Sequence, residues 1–128
     1  MFNNIEVARL ILRMSLGILI LFHGIHKMIY GIGGVKAMLS SSDIPTILAY
    51  GVYVGEIIAP IFIILGLYAR VASLVLAFNM LAAIFLAYGF SFSIAKYGGL
   101  SFESPLLFMI MAILVALLGS GKYAVNNK

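Results

Sequence analysis

Four long apolar runs, at residues 7–30, 44–67, 71–88 and 104–118, are separated by short clusters of glycine, serine and charged residues. A bilayer's hydrocarbon core, about 30 Å thick, needs about 20 mostly apolar residues per helix. Each run therefore predicts a spanning helix, and the chain reads as an all-α polytopic membrane protein. The predicted architecture is a four-transmembrane-helix bundle in a single domain over residues 1–128. Gly31, Gly33 and Gly34 break the first run, and residues 35–39 predict a short interfacial turn of helix. Ser40-Ser41-Ser42-Asp43 with Pro45 signals the next helix start. Within the second run, Gly51-Val52-Tyr53-Val54-Gly55 is a small-xxx-small pattern that permits close helix approach, and Pro60 predicts a kink. The tight turn at 66–70 makes the second and third helices antiparallel neighbours.

Composition strengthens this picture. The chain is 64% apolar and 9% charged, with a mean hydropathy of +1.19. A soluble domain is about half apolar and a quarter charged, so much of this exterior must be apolar, as a lipid solvent requires. A basic start followed by an apolar run also resembles a signal peptide. This run lacks a small-x-small cleavage site and carries the densest polar pattern of the chain, so it reads as a retained helix. No cysteine is present, which excludes a dithiol relay, an iron–sulfur cluster and a thiolate zinc site within the chain. The net charge of +4 is dispersed over loops, with none of the basic clustering that nucleic acid requires. Arg9, Arg13, Arg70, Lys122 and Lys128 lie on the side of both termini, and Lys27, Lys36 and Lys96 on the other. That bias predicts cytoplasmic termini.

Polar residues inside the runs are the candidates for chemistry. At about 100° per residue, Arg9, Arg13, Ile20, His23, Gly24 and Lys27 fall within one quadrant of the first helix, and such a stripe must face protein or water. Glu56 is the carboxylate set deepest in the apolar runs. An ion there costs about 3 kcal/mol on insertion scales and requires a partner or a proton. Counted from the cytoplasmic ends, Arg13 lies about 9 Å deep, Glu56 about 16 Å and His23 about 24 Å. Arginine is always charged and grips a carboxylate bidentately. Arg13–Glu56 is therefore the expected ion pair, either fixing helix register or serving a ligand. Tyr53, one α-helical turn from Glu56, is expected to share its pocket, while Tyr50, Tyr68, Tyr88 and Tyr97 suit an aromatic belt. His23 and His26, three apart, would need a third ligand such as Glu103 to hold a metal, and no metal is expected. Asn79 is the strongly polar residue of the third run.

Several motifs in order carry a family resemblance. Leu12-Arg13-Met14-Ser15-Leu16-Gly17, Phe22-His23-Gly24 and Lys27 resemble the start of the DoxX family of small bacterial membrane proteins, with Glu56 at its second-helix acid. Leu65-Gly66-Leu67-Tyr68-Ala69-Arg70 is similar to its Gly-aromatic-x-Arg turn. Gly98-Gly99 with Glu103-Ser104-Pro105-Leu106-Leu107 resembles the lead-in to its fourth helix, and Gly119-Ser120-Gly121-Lys122-Tyr123 resembles its closing motif. The resemblance implies the bacterial inner (plasma) membrane and a link to quinone redox chemistry, since the family includes subunits of a thiosulfate:quinone oxidoreductase and members tied to thiol-stress redox complexes. A quinone is then the implied cofactor, and a redox protein, or a second copy of the chain, the implied partner. The chain itself would be a non-catalytic subunit, with Arg13, His23, Lys27, Tyr53 and Glu56 lining an intramembrane pocket. His23 would handle protons and Glu56 would orient the ligand. The alternative is a non-enzymatic small-molecule carrier, or a membrane anchor or scaffold for a partner protein.

Overall fold

The computed structural model describes residues 4–88 and 103–126, the side chains of residues 87 and 88 excepted. The expectations attached to Lys96, Tyr97, the Gly98-Gly99 pair, Lys128 and the Tyr88 side chain lie outside the described parts. Among the described residues the regular structure is entirely helical. Helix α1 runs over Ile5–Tyr30, α2 over Gly33–Ser41, α3 over Thr46–Leu65, α4 over Ala69–Tyr88 and α5 over Glu103–Leu118. The Asn4 side chain caps α1 by accepting from the Val7 N–H at 3.1 Å, and Gly31 closes it with positive φ. The predicted interfacial turn at 35–39 is the centre of α2, which packs Leu39 against Ile32 and Ala49.

Helix α3 is not uniform. It starts as a 3-10 turn over Thr46–Tyr50 and widens to a π turn over Val54–Ile58 before Ala59–Leu65 resumes α geometry. Pro60 supplies a reason. It has no N–H for the carbonyl of Glu56 one turn back, and the Ala59 N–H bonds instead to the Val54 carbonyl, five residues away. Next to Pro60, the site of the expected kink, the structure shows one wide turn, and that turn carries Glu56. π bulges of this kind occur frequently at functional sites.

Two helices, Thr46–Leu65 and Ala69–Leu86, are long and apolar enough to cross a membrane, with mean hydropathies of 2.1 and 2.0. The core joins Leu16 and Ile20 of α1, Ala59 and Ile63 of α3, Leu76 and Met80 of α4, and Ala112 and Val115 of α5. Small residues let the helices approach. Gly17 faces Pro60 and Ile64, and Gly24 faces Glu56 and Ile57, so α1 and α3 are antiparallel. Large apolar side chains point outward instead, Phe22, Ile29, Phe78 and Leu117 being 64–72% exposed.

One end of the bundle is closed by polar contacts. Gly66, left-handed at φ 70°, ends α3, with the Gly66 N–H on the Ile63 carbonyl and the Leu67 N–H on that of Phe62. Other parts of the chain also donate to carbonyls at this end. Arg13, 1% exposed, donates to the carbonyls of Ile63 (3.0 Å), Ile64 (3.2 Å) and Tyr123. Val125 and Asn126 donate their N–H groups to Leu65 and Gly66. Three separate sequence motifs, around Arg13, Gly66 and Gly121, therefore meet at one helix end. Where water is scarce, every such carbonyl needs a donor. Arg13→Met is expected to cost about 2 kcal/mol or more, because it strands the carbonyls of Ile64 and Tyr123 at about 1–3 kcal/mol each, while that of Ile63 keeps the Gly66 N–H. Unfolding in detergent would measure this loss, and proteolysis at residues 119–126 should accelerate with it.

Candidate functional site

Glu56 is 3% exposed, and its partner is Lys27. The Lys27 ammonium donates to both carboxylate oxygens, at 2.7 and 2.6 Å. The expected Arg13–Glu56 pair is corrected by this geometry, and the direction of helical side chains explains why. On a helix, side chains lean toward its N-terminus. Arg13 therefore reaches away from Glu56, toward the end of antiparallel α3, where acceptor carbonyls wait. Lys27 leans back over the preceding turn, where Gly24 lies against the Glu56 backbone. Depth counted along the axis omits this lean.

The pair borders a cavity of about 300 Å³ between α1, α3, α4 and α5, with α2 at one side. His23, Lys27, Glu56, Asn79 and Ser104 contribute its polar surface, while Met80, Leu86 and Phe108 are among its apolar walls. The His23 ring stands edge-on to Phe108 at 5.9 Å between centroids. Asn79 lies against Gly55, where any Cβ would come within 2.6 Å of the carboxamide carbon, so this glycine makes room for the asparagine. The Lys27 side chain is 29% exposed and that of Glu56 4%, so the ammonium is the accessible half of the pair.

Of the residues expected in one pocket, the structure brings together His23, Lys27 and Glu56 and places two elsewhere. Arg13 closes the helix end described above. Tyr53 lies outside the cavity wall, with its hydroxyl donating to the Lys27 carbonyl at 3.4 Å and its ring beside the Ile32–Leu39–Ala49 cluster. The π turn that starts at Val54 is the physical reason, since in a widened turn residues three apart no longer stack. Asn79 and Ser104 were not among the expected pocket residues. The signal for Asn79 was its polarity within an apolar run; Ser104 gave none. His26 faces outward against Tyr30, with ring centroids 4.6 Å apart.

Among the described residues, outward apolar faces and two helices long and apolar enough to cross a membrane fit the class of helical membrane proteins. Within that class the chain belongs to the DoxX family, whose family model matches residues 8–89. That match takes in α1 to α4 and the Lys27–Glu56 pair, whereas the closing motif at Gly119–Tyr123 lies beyond it. Over 82 residues the chain is 28% identical to a protein of Bacillus subtilis (strain 168) that bears the name "Putative oxidoreductase CatD". The aligned part is 64% of this chain and spans 60% of the length of that relative. No solved structure matches the chain significantly.

Proposed function

We propose that this chain is a single-domain, four-span protein of the bacterial plasma membrane with cytoplasmic termini, and that its cavity binds a quinone as the membrane subunit of a redox assembly. The observation that carries the reading is the cavity itself, apolar over much of its wall and polar at the Lys27–Glu56 pair. Its volume lies at the lower end of the range for small-molecule sites, about 300–1,000 Å³. Besides the two evident spans, the 26 residues of α1 measure about 39 Å at 1.5 Å per residue, long enough to cross. The 16 residues of α5 reach about 24 Å, a mismatch that local thinning or flanking polar side chains accommodate.

The residues suit a quinone. Lys27 and Asn79 supply donors for a carbonyl oxygen, and Phe108, Leu86 and Met80 supply surface for a ring. A bound quinone would contribute reversible two-electron, two-proton chemistry, and electrons would come from a partner protein. His23, beside Phe108, brings to the cavity an imidazole, a group able to pass protons to and from a ligand. The name of the Bacillus subtilis relative agrees with a redox setting.

Purification in mild detergent followed by solvent extraction tests this reading. About one quinone per chain is expected, and His23→Phe should weaken rebinding about tenfold, the equivalent of about 1.4 kcal/mol, with the melting temperature unchanged. An intact bundle that neither retains nor rebinds quinone would favour the carrier or anchor reading. The orientation has its own test, because the chain has no native cysteine. A cysteine replacing exposed Ser40 should react with an impermeant thiol reagent on intact cells, and one replacing Lys122 should not.

A further inference from the structure

We infer that the Lys27–Glu56 pair is a proton-exchange site for an aromatic hydroxyl group, a phenol or a quinol, seated in the cavity. The inference rests on the cavity being a ligand site, as proposed above. It assigns proton acceptance to Glu56, with Lys27 holding the anion.

The geometry supports the assignment in three ways. Both oxygens of Glu56 engage the same ammonium, which has three donors and lends two to the carboxylate. Lysine is a flexible point charge on a four-carbon stem, and here it is the more accessible member of the pair. It can turn toward a new oxygen while Glu56 stays fixed on its π turn. Among the described residues His23 also lines the cavity, but its ring stands edge-on to Phe108, and Glu56 is the acceptor that shares the Lys27 ammonium with an incoming oxygen. From α1, Arg13 is committed to carbonyls at the helix end. From α3, the Tyr53 hydroxyl is turned to the Lys27 carbonyl. From α4 and α5 come Asn79 and Ser104, which do not titrate.

Charge conservation selects the ligand class. In a low-dielectric site an added net charge is costly. A carboxylic acid, already ionised in neutral water, would bring a negative charge in. An aliphatic alcohol is too weak an acid to ionise beside a carboxylate. A phenolic hydroxyl, with a pKa of about 10 in the tyrosine side chain, enters neutral and is acidic enough for a lysine to stabilise its anion. Glu56 then takes the hydroxyl proton: the ligand O–H bond breaks, a Glu56 O–H bond forms, and the Lys27 hydrogen bonds move from carboxylate to phenolate. No electrons move and the site's net charge is unchanged. Phe108 and the His23 ring beside it give the aromatic ring a place to lie.

The test uses 4-nitrophenol, which is yellow only as its anion, added to the full chain in detergent at a pH where the free probe is colourless, with empty micelles subtracted. The wild-type protein should bind about one equivalent as the yellow anion with no proton released to a weakly buffered medium. Glu56→Gln should also turn the probe yellow, but with one proton released per probe bound. The double variant Lys27→Met/Glu56→Gln, which leaves no unpaired charge and so keeps the fold, should bind the probe colourless. Colourless binding by the wild type, or yellow binding with proton release, would overturn the inference while leaving the cavity as a ligand site. Failure of the wild type to bind either 4-nitrophenol or 1,4-benzoquinone would overturn both.

Discussion

Lys27→Met should destabilise the bundle by about 3–5 kcal/mol, the usual cost of stranding one member of a buried ion pair. Its partner Glu56 is 3% exposed and takes both of its side-chain hydrogen bonds from this one ammonium. The double variant Lys27→Met/Glu56→Gln should recover most of that loss, because it removes both charges and leaves groups of similar length. Unfolding in mixed detergent across the four proteins of the cycle gives the coupling directly. Coupling near zero would show that the two side chains do not depend on each other. Arg13 provides the contrast. Its partners are the carbonyls of Ile63 and Ile64 at the end of α3 and that of Tyr123, so losses at Arg13 and Glu56 should add, as for independent sites.

Gly24→Ala should be strongly destabilising, costing about 1–3 kcal/mol or more. A Cβ at position 24 would stand 2.1 Å from the Glu56 carbonyl oxygen and 2.6 Å from the Ile57 side chain. The first obstacle is backbone and cannot rotate away, so α1 would have to lift off α3. Because Lys27 is one turn along α1, the same shift would pull its ammonium from Glu56, and ligand binding in the cavity should fall with stability. Gly33→Ala is the control. Nothing lies within 4 Å of a Cβ there, and the change should stay within about 0.5 kcal/mol. Equal melting temperatures for the two variants would mean that α1 and α3 are not in the close contact described.

The helical segments were legible in the sequence because lipid leaves a backbone few alternatives. The apolar runs at 7–30, 44–67, 71–88 and 104–118 map onto α1, α3, α4 and α5 with ends shifted by a few residues at most. Glycines 31 and 66 mark two of those ends through positive φ. The polar stripe on α1 was legible as well, since helical period alone places Arg13, His23 and Lys27 on one side. Glu56 stood out because a buried carboxylate must have a partner.

Which partner it takes was decided only by tertiary structure. Axial depth made Arg13 and His23 look equally near Glu56, whereas the lean of helical side chains in antiparallel α1 and α3 sends Arg13 to the helix end and Lys27 to the carboxylate. Two further features depend on residues far apart in the chain or on one displaced hydrogen bond. The Gly121 segment folds back to satisfy carbonyls at the end of α3, which no local pattern announces. The π turn before Pro60 follows from a missing N–H, and it rotates Tyr53 away from the cavity that its spacing to Glu56 suggested. Periodicity fixes what lies along a helix, but the partner of each side chain depends on how neighbouring helices are set against it.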